Sequence, residues 1–82
     1  MKKEGSRQIQ LLTTDHCTLC NEALELMLTI PLPGWQFVTV DIVNDDALLM
    51  EFGERIPALR TAAAQLEWPF DRDRVHAWLS DL

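Results

Sequence analysis

Cationic residues are scarce in this chain of 82 residues: seven are Lys or Arg against thirteen Asp or Glu, a formal net charge of −6. Binding to phosphates needs a cationic face, and the seven are scattered, so nucleic acid and acidic membrane surfaces are not expected partners. Long apolar runs are missing as well. Glu22, Glu25, Pro31 and Pro33 interrupt the longest ones, which fall well short of the ~20 residues a membrane-spanning helix requires. The segment Met1-Lys2-Lys3-Glu4-Gly5-Ser6-Arg7 has basic residues but neither an apolar core nor a small-residue cleavage site behind it. No secretory signal is read there, and a cytoplasmic protein is expected. Internal repeats and low-complexity stretches are absent from the sequence.

What is present is ordinary globular composition, 48% hydrophobic and 24% charged, which argues against disorder. A chain of this length buries about three fifths of its unfolded surface and holds one core, so residues 1–82 are expected to form a single domain with residues 1–7 frayed.

Cysteine is limited to two residues, and they stand close together as Cys17-Thr18-Leu19-Cys20. Two thiols this close in a reducing compartment point to redox or metal chemistry rather than to a structural staple. Ahead of them, Gln8 to Thr13 reads as a short strand with Ile9 and Leu11 on one face and Leu12 on the other, as a strand covered on both sides shows. Behind them, Leu19, Ala23, Leu24, Met27, Leu28 and Ile30 recur at helical intervals, with Asn21, Glu22 and Glu25 opposite. The first cysteine thus falls at the mouth of a helix. Unpaired N–H groups and the positive dipole end favour a thiolate there over a thiol.

Pro31 stops the helix near Ile30, and Pro31-Leu32-Pro33-Gly34 reads as a turn. Trp35 to Ile42, rich in aromatic and β-branched residues, predicts a second strand, parallel to the first across the helical connection. Asn44-Asp45-Asp46 predicts a helix start, with Ala47, Leu48, Leu49 and Phe52 as its stripe and Gly53 at its end. Ile56 to Arg60 and Gln65 to Trp68 predict an antiparallel hairpin around Thr61-Ala62-Ala63-Ala64, an alanine-rich turn of poor turn chemistry. Asp71 caps a last helix whose stripe is Val75, Trp78, Leu79 and Leu82. The order is βαβαββα.

A proline that opens a strand removes a ladder donor, which a sheet tolerates only at strand starts and edges. If the Ile56-Pro57 bond is cis, the backbone of Ile56 turns outward with its N–H and C=O free to pair with an extended peptide.

With Cys17-Thr18-Leu19-Cys20 after the first strand, Val40-Asp41-Ile42 ending the second and Arg55-Ile56-Pro57-Ala58-Leu59 opening the third, the chain resembles the thioredoxin superfamily, and more closely the small bacterial glutaredoxin-like proteins. The resemblance runs from Gln8 to Leu82. It implies an α/β, thioredoxin-like domain of the glutaredoxin type with a mixed four-stranded sheet, a cis Ile56-Pro57 bond, and thiol-disulfide oxidoreductase activity. Cys17 is then the nucleophile and Cys20 the resolving thiol. Ile56, Pro57, Thr18 and Leu19, with Asp71 and Arg55, meet the substrate, a disulfide-bearing protein or small-molecule disulfide. The expected protein is a monomer without metal or cofactor, recharged by glutathione or a reductase donor.

Departures from the family pattern bear on that donor. Thr18-Leu19 stands where dithiol glutaredoxins carry Pro-Tyr, and Trp68-Pro69-Phe70-Asp71 stands where they carry a Gly-Gly turn and an acid. Asp71 retains a carboxylate for the glutathione amine, but close backbone approach is what glycine permits, so glutathione is expected to bind weakly. The position of thioredoxin's buried acid is Leu11, and His16 replaces the Trp that usually precedes its first cysteine. His16 is expected to be an exposed loop residue. Two rival readings remain: a metal or iron–sulfur site built from the thiolates of two chains, and a non-catalytic binding module that uses the Ile56 edge.

Overall fold

The computed structural model describes residues 7–82; of residues 1–7, expected to be frayed, 1–6 lie outside the described residues, whereas Arg7 is tied to the second strand, its carbonyl accepting the Gln36 N–H at 2.8 Å. The elements are β1 (Gln8–Thr13), α1 (Thr18–Leu28), β2 (Gln36–Asp41), a 3-10 turn (Ile42–Asn44), α2 (Asp46–Phe52), β3 (Ala58–Arg60), β4 (Gln65–Glu67) and α3 (Arg72–Ser80). The βαβαββα order is the one expected from the sequence. One sheet of order β2-β1-β3-β4 holds the four strands, with β1 parallel to β2 and antiparallel to β3, and β3 antiparallel to β4. It is the mixed four-stranded sheet of a thioredoxin-like domain.

Strand alternation sorts the core into two layers. Ile9, Leu11 and Leu59 pack with Ala23, Met27, Phe70 and Val75 on the face covered by α1 and α3. Leu12 and Ala58 pack with Ile42, Leu48 and Phe52 on the face covered by α2. Each fully buried Leu, Ile or Phe contributes roughly 1.5–3 kcal/mol relative to exposure. Trp35, Trp68 and Trp78 are half-buried against the first layer.

Several boundaries and stripes differ from the sequence reading. In α1 the buried side chains are Cys20, Ala23 and Met27, whereas Leu19 and Leu28 are exposed at 47% and 69%. Periodicity marks a face, but the arc that meets the sheet is narrower than the arc of apolar residues. Leu49 on α2 is likewise exposed, and Leu82 lies beyond the end of α3 and is exposed. β3 starts at Ala58 rather than Ile56, so Pro57 stands just ahead of the strand. There it costs the ladder nothing.

Local chemistry explains the connections. After α1, the Trp35 N–H donates to the Leu32 carbonyl at 3.0 Å, and Gly34 has φ +84°. Proline followed by a left-handed glycine is the signature of a type II turn. The cap of α2 is Asp45, whose Oδ1 accepts from the N–H groups of Ala47 and Leu48. Gly53 is the C-cap of α2, and the position takes glycine for want of space, since a Cβ there would lie 2.6 Å from the Leu49 carbonyl oxygen. The alanine-rich hairpin turn works through Thr61. Its hydroxyl accepts from the N–H groups of Ala63 and Ala64 at 3.2 and 3.1 Å, which supplies by side chain what glycine or asparagine would supply by conformation.

Candidate active site

The loop after β1 turns sharply at His16, which is exposed and has φ 60°. This left-handed conformation is uncommon for a side-chain-bearing residue, though His adopts it more readily than most. It delivers Cys17 in extended geometry (φ −114°, ψ 105°) as the N-cap of α1. The Cys17 Sγ accepts the Cys20 N–H at 3.1 Å, and the Cys17 carbonyl accepts the Asn21 N–H at 3.1 Å. A sulfur therefore fills the capping role that Ser, Thr or Asp usually fills. The Cys20 N–H that this cap satisfies thus donates to the sulfur that would carry charge in the reduced protein.

Cys17 and Cys20 form a disulfide, their Cα atoms 5.1 Å apart. The two sulfurs belong to unlike environments. Cys20 lies in the buried arc of α1 at 1% exposure, whereas Cys17 is only half-buried. Thr18 and Leu19, between them, are exposed on the first turn of the helix.

Strand register gathers the remaining residues at one end of the sheet. The last pair of β1 and β2 is Thr13 with Asp41, and Leu12 pairs with Ala58. Pro57, one residue before Ala58, therefore falls at the end of β1 from which the Cys17 loop departs. Ala58 also pairs with Glu67, and the Trp68 N–H donates to the Pro57 carbonyl at 3.1 Å. The Pro57 side chain is buried, and Ile56 packs partly against the Phe52 layer. Ile56 precedes both ladders of β3, and among the described residues its N–H and carbonyl make no backbone hydrogen bond. The Ile56-Pro57 and Trp68-Pro69 peptide bonds are cis.

Arg55 is held by its own chain. Its guanidinium forms an ion pair with Glu67 at 2.6 Å, donates to Gln65 Oε1 and the Glu51 carbonyl, and lies 4.8 Å over the Phe52 ring. The Glu67 partner was not legible in the sequence, because it comes from a neighbouring strand rather than from helical spacing. Such an exposed pair contributes little stability, but it fixes the segment leading to Ile56. Asp71 caps α3 as expected, with Oδ1 accepting the Arg74 N–H at 2.8 Å. Just before it, Trp68 and Phe70 meet edge to face, ring centroids 4.9 Å apart. This aromatic contact occupies the stretch where the family pattern places glycines. His76 is exposed on α3. Among the described residues no group of three or more His, Cys, Asp and Glu is disposed to hold a metal ion, and no helix is long and apolar enough to cross a membrane.

Residues 8–80 match the family described as Glutaredoxin-like domain (DUF836). The chain is similar to the X-ray structure of Northeast Structural Genomics target protein XcR50 from X. campestris, with 35% identity over 90% of this chain and 97% of that one and a TM-score of 0.75. The solution structure of XcR50 gives 36% identity over 90% and 94%, with a TM-score of 0.73. No curated protein matches the chain.

Proposed function

This chain belongs to the glutaredoxin-like domain (DUF836) family, and from that premise we propose that it is a thiol-disulfide oxidoreductase in which Cys17 and Cys20 cycle between dithiol and disulfide. The observation that carries the reading is the Cys17–Cys20 disulfide at the start of α1, with the Cys17 Sγ held by the Cys20 N–H.

In the reduced protein the Cys17 thiolate attacks one sulfur of the substrate disulfide. A mixed disulfide forms and the first substrate sulfur leaves as a thiolate, taking a proton from solvent. Cys20 then loses its proton and attacks the Cys17 sulfur. The mixed disulfide breaks, the second substrate thiol departs, and Cys17 and Cys20 are left as the disulfide, two electrons having passed to the substrate. Their exposures support this division of labour, since a half-buried sulfur at the helix mouth is open to an incoming disulfide and one at 1% exposure is not.

The backbone of Ile56, outside the ladders, offers an N–H and a carbonyl to an extended substrate strand. Pro57 shapes that edge, and Thr18 and Leu19 form the opposite lip. Arg55 acts through position, its donors being shared among Glu67, Gln65 and the Glu51 carbonyl. Asp71 keeps one carboxylate oxygen for a substrate amine. The protein needs no resident metal or cofactor in this reading. It works as a monomer in the cytoplasm on a protein or small-molecule disulfide, and a thiol donor or reductase recharges it.

The test is turnover of a small disulfide, coupled in one arm to glutathione and in the other to thioredoxin reductase with thioredoxin. We expect turnover, with glutathione the weaker donor, since its binding rests on a few backbone and charge contacts and Pro69-Phe70 replaces the glycine turn. Efficient saturable recharging by glutathione would return the protein to the ordinary glutaredoxins. Failure with both donors would favour a binding module.

A further inference from the structure

The helix α2 is only seven residues long, about 10 Å at 1.5 Å per residue, and it covers Leu12 and Ala58 on its face of the sheet. The other half of that face is polar. By alternation Gln8 and Gln10 share it with Leu12, Arg60 shares it with Ala58, and Gln65 lies across from Arg60. These residues and the Thr61–Ala64 turn line a cleft of about 790 Å³, within the range usual for small-ligand sites. It lies at the end of β1 opposite the one from which the Cys17 loop departs.

The donors in this cleft are ordered around one cation. Arg60 is half-buried, and its Nε and Nη2 both donate to Gln10 Oε1, at 3.0 and 2.7 Å. Gln10 Nε2 in turn donates to Gln8 Oε1 at 3.1 Å. Gln10 therefore anchors one edge of the guanidinium and orients its plane. The edge formed by Nη1 and the second Nη2 hydrogen is left, and that edge presents two parallel donors. Among the described residues no carboxylate pairs with Arg60. A partly dehydrated cation facing only neutral amides retains a favourable interaction for an anion. Ala62, Ala63 and Ala64 fill little of the space beside it.

We propose that this cleft is a binding site for a small carboxylate anion, which Arg60 takes in bidentate fashion, with the Gln65 side-chain NH2 as a neutral second donor while the Gln65 Oε1 accepts from Arg55. A carboxylate fits better than a phosphate. One guanidinium edge matches two coplanar oxygens, and because Arg55 beside Gln65 is paired with Glu67, the one uncompensated cation there among the described residues, in a chain of net charge −6, balances one negative charge but not two.

The test is an NMR titration of the whole ¹⁵N-labelled protein with sodium acetate, and separately with inorganic phosphate, at constant ionic strength. Acetate is expected to move the Arg60 Nε–H and Gln65 side-chain signals saturably, with a dissociation constant of about 10 mM or tighter, while the Cys17 and Cys20 amides stay in place. Arg60→Gln should weaken binding ~10-fold or more, the loss of a charge-assisted pair. Ala62→Glu, which keeps Arg60 and tethers a carboxylate at the rim, should also weaken acetate binding and carries the test if Arg60→Gln does not fold. Non-saturating shifts, equal shifts in both variants and the parent protein, or tighter binding of phosphate than acetate would overturn the proposal.

Discussion

Cys17→Ser is expected to lower disulfide turnover by at least ~1000-fold, because serine oxygen is a far poorer nucleophile and the step that begins the cycle is lost. Cys20→Ser is expected to behave differently. Attack by Cys17 survives, but the mixed disulfide has no internal resolving thiol and accumulates. Mass spectrometry after mixing with an excess of a small disulfide reads the outcome directly: an adduct on Cys20→Ser and none on Cys17→Ser. The argument rests on position. Cys17 caps the helix with its sulfur half-buried, and Cys20 sits one turn inside at 1% exposure. An adduct on Cys17→Ser alone would reverse the roles.

Phe52→Ala is expected to cost about 3–5 kcal/mol, the usual range for emptying a buried aromatic site. For a domain of this size, total stability is about 4–12 kcal/mol, so from about a quarter to all of it is at stake. The thermal midpoint should fall by roughly 15–30 °C. Phe52 is fully buried at the centre of the Leu12, Ile42, Leu48 and Ala58 layer. Its ring also supports Arg55, and through it the approach to Ile56. Met50→Ala, on the same helix but at a side chain 89% exposed, should change stability by no more than ~0.5 kcal/mol. Calorimetry of the two variants checks the contrast. A Phe52→Ala protein that melts within a few degrees of the parent would mean this layer repacks freely.

The element order was legible because the local signals agree with the global fold. Ile9, Leu11 and Leu12 alternate as a doubly covered strand must, and all three are buried. Asp71 is a cap that the residue type announces, and the Asn44-Asp45-Asp46 run marks the start of α2, although the cap is Asp45 because Asn44 belongs to the preceding 3-10 turn. The position of Cys17 at the helix mouth followed from the same reading.

Tertiary context was harder to see. Leu19, Leu28 and Leu49 carry the right period but face solvent, since a short helix on a small sheet has less surface to bury than its apolar residues offer. The hairpin looked weak because turn chemistry was sought in Gly and Asn, whereas the Thr61 hydroxyl supplies it. The Arg55–Glu67 pair and the Arg60–Gln10 anchor join residues far apart in sequence. Neither spacing nor composition signals them.

The most direct measurement is a redox titration of the purified protein through a graded series of dithiothreitol buffers, with titratable thiols, intact mass and metal content read at each step. The account predicts a single two-electron transition in which two thiols disappear, the mass falls by two hydrogens and the protein stays a metal-free monomer. A dimer holding stoichiometric zinc or iron through four thiolates, or thiols that never form an intramolecular disulfide across the series, would contradict it.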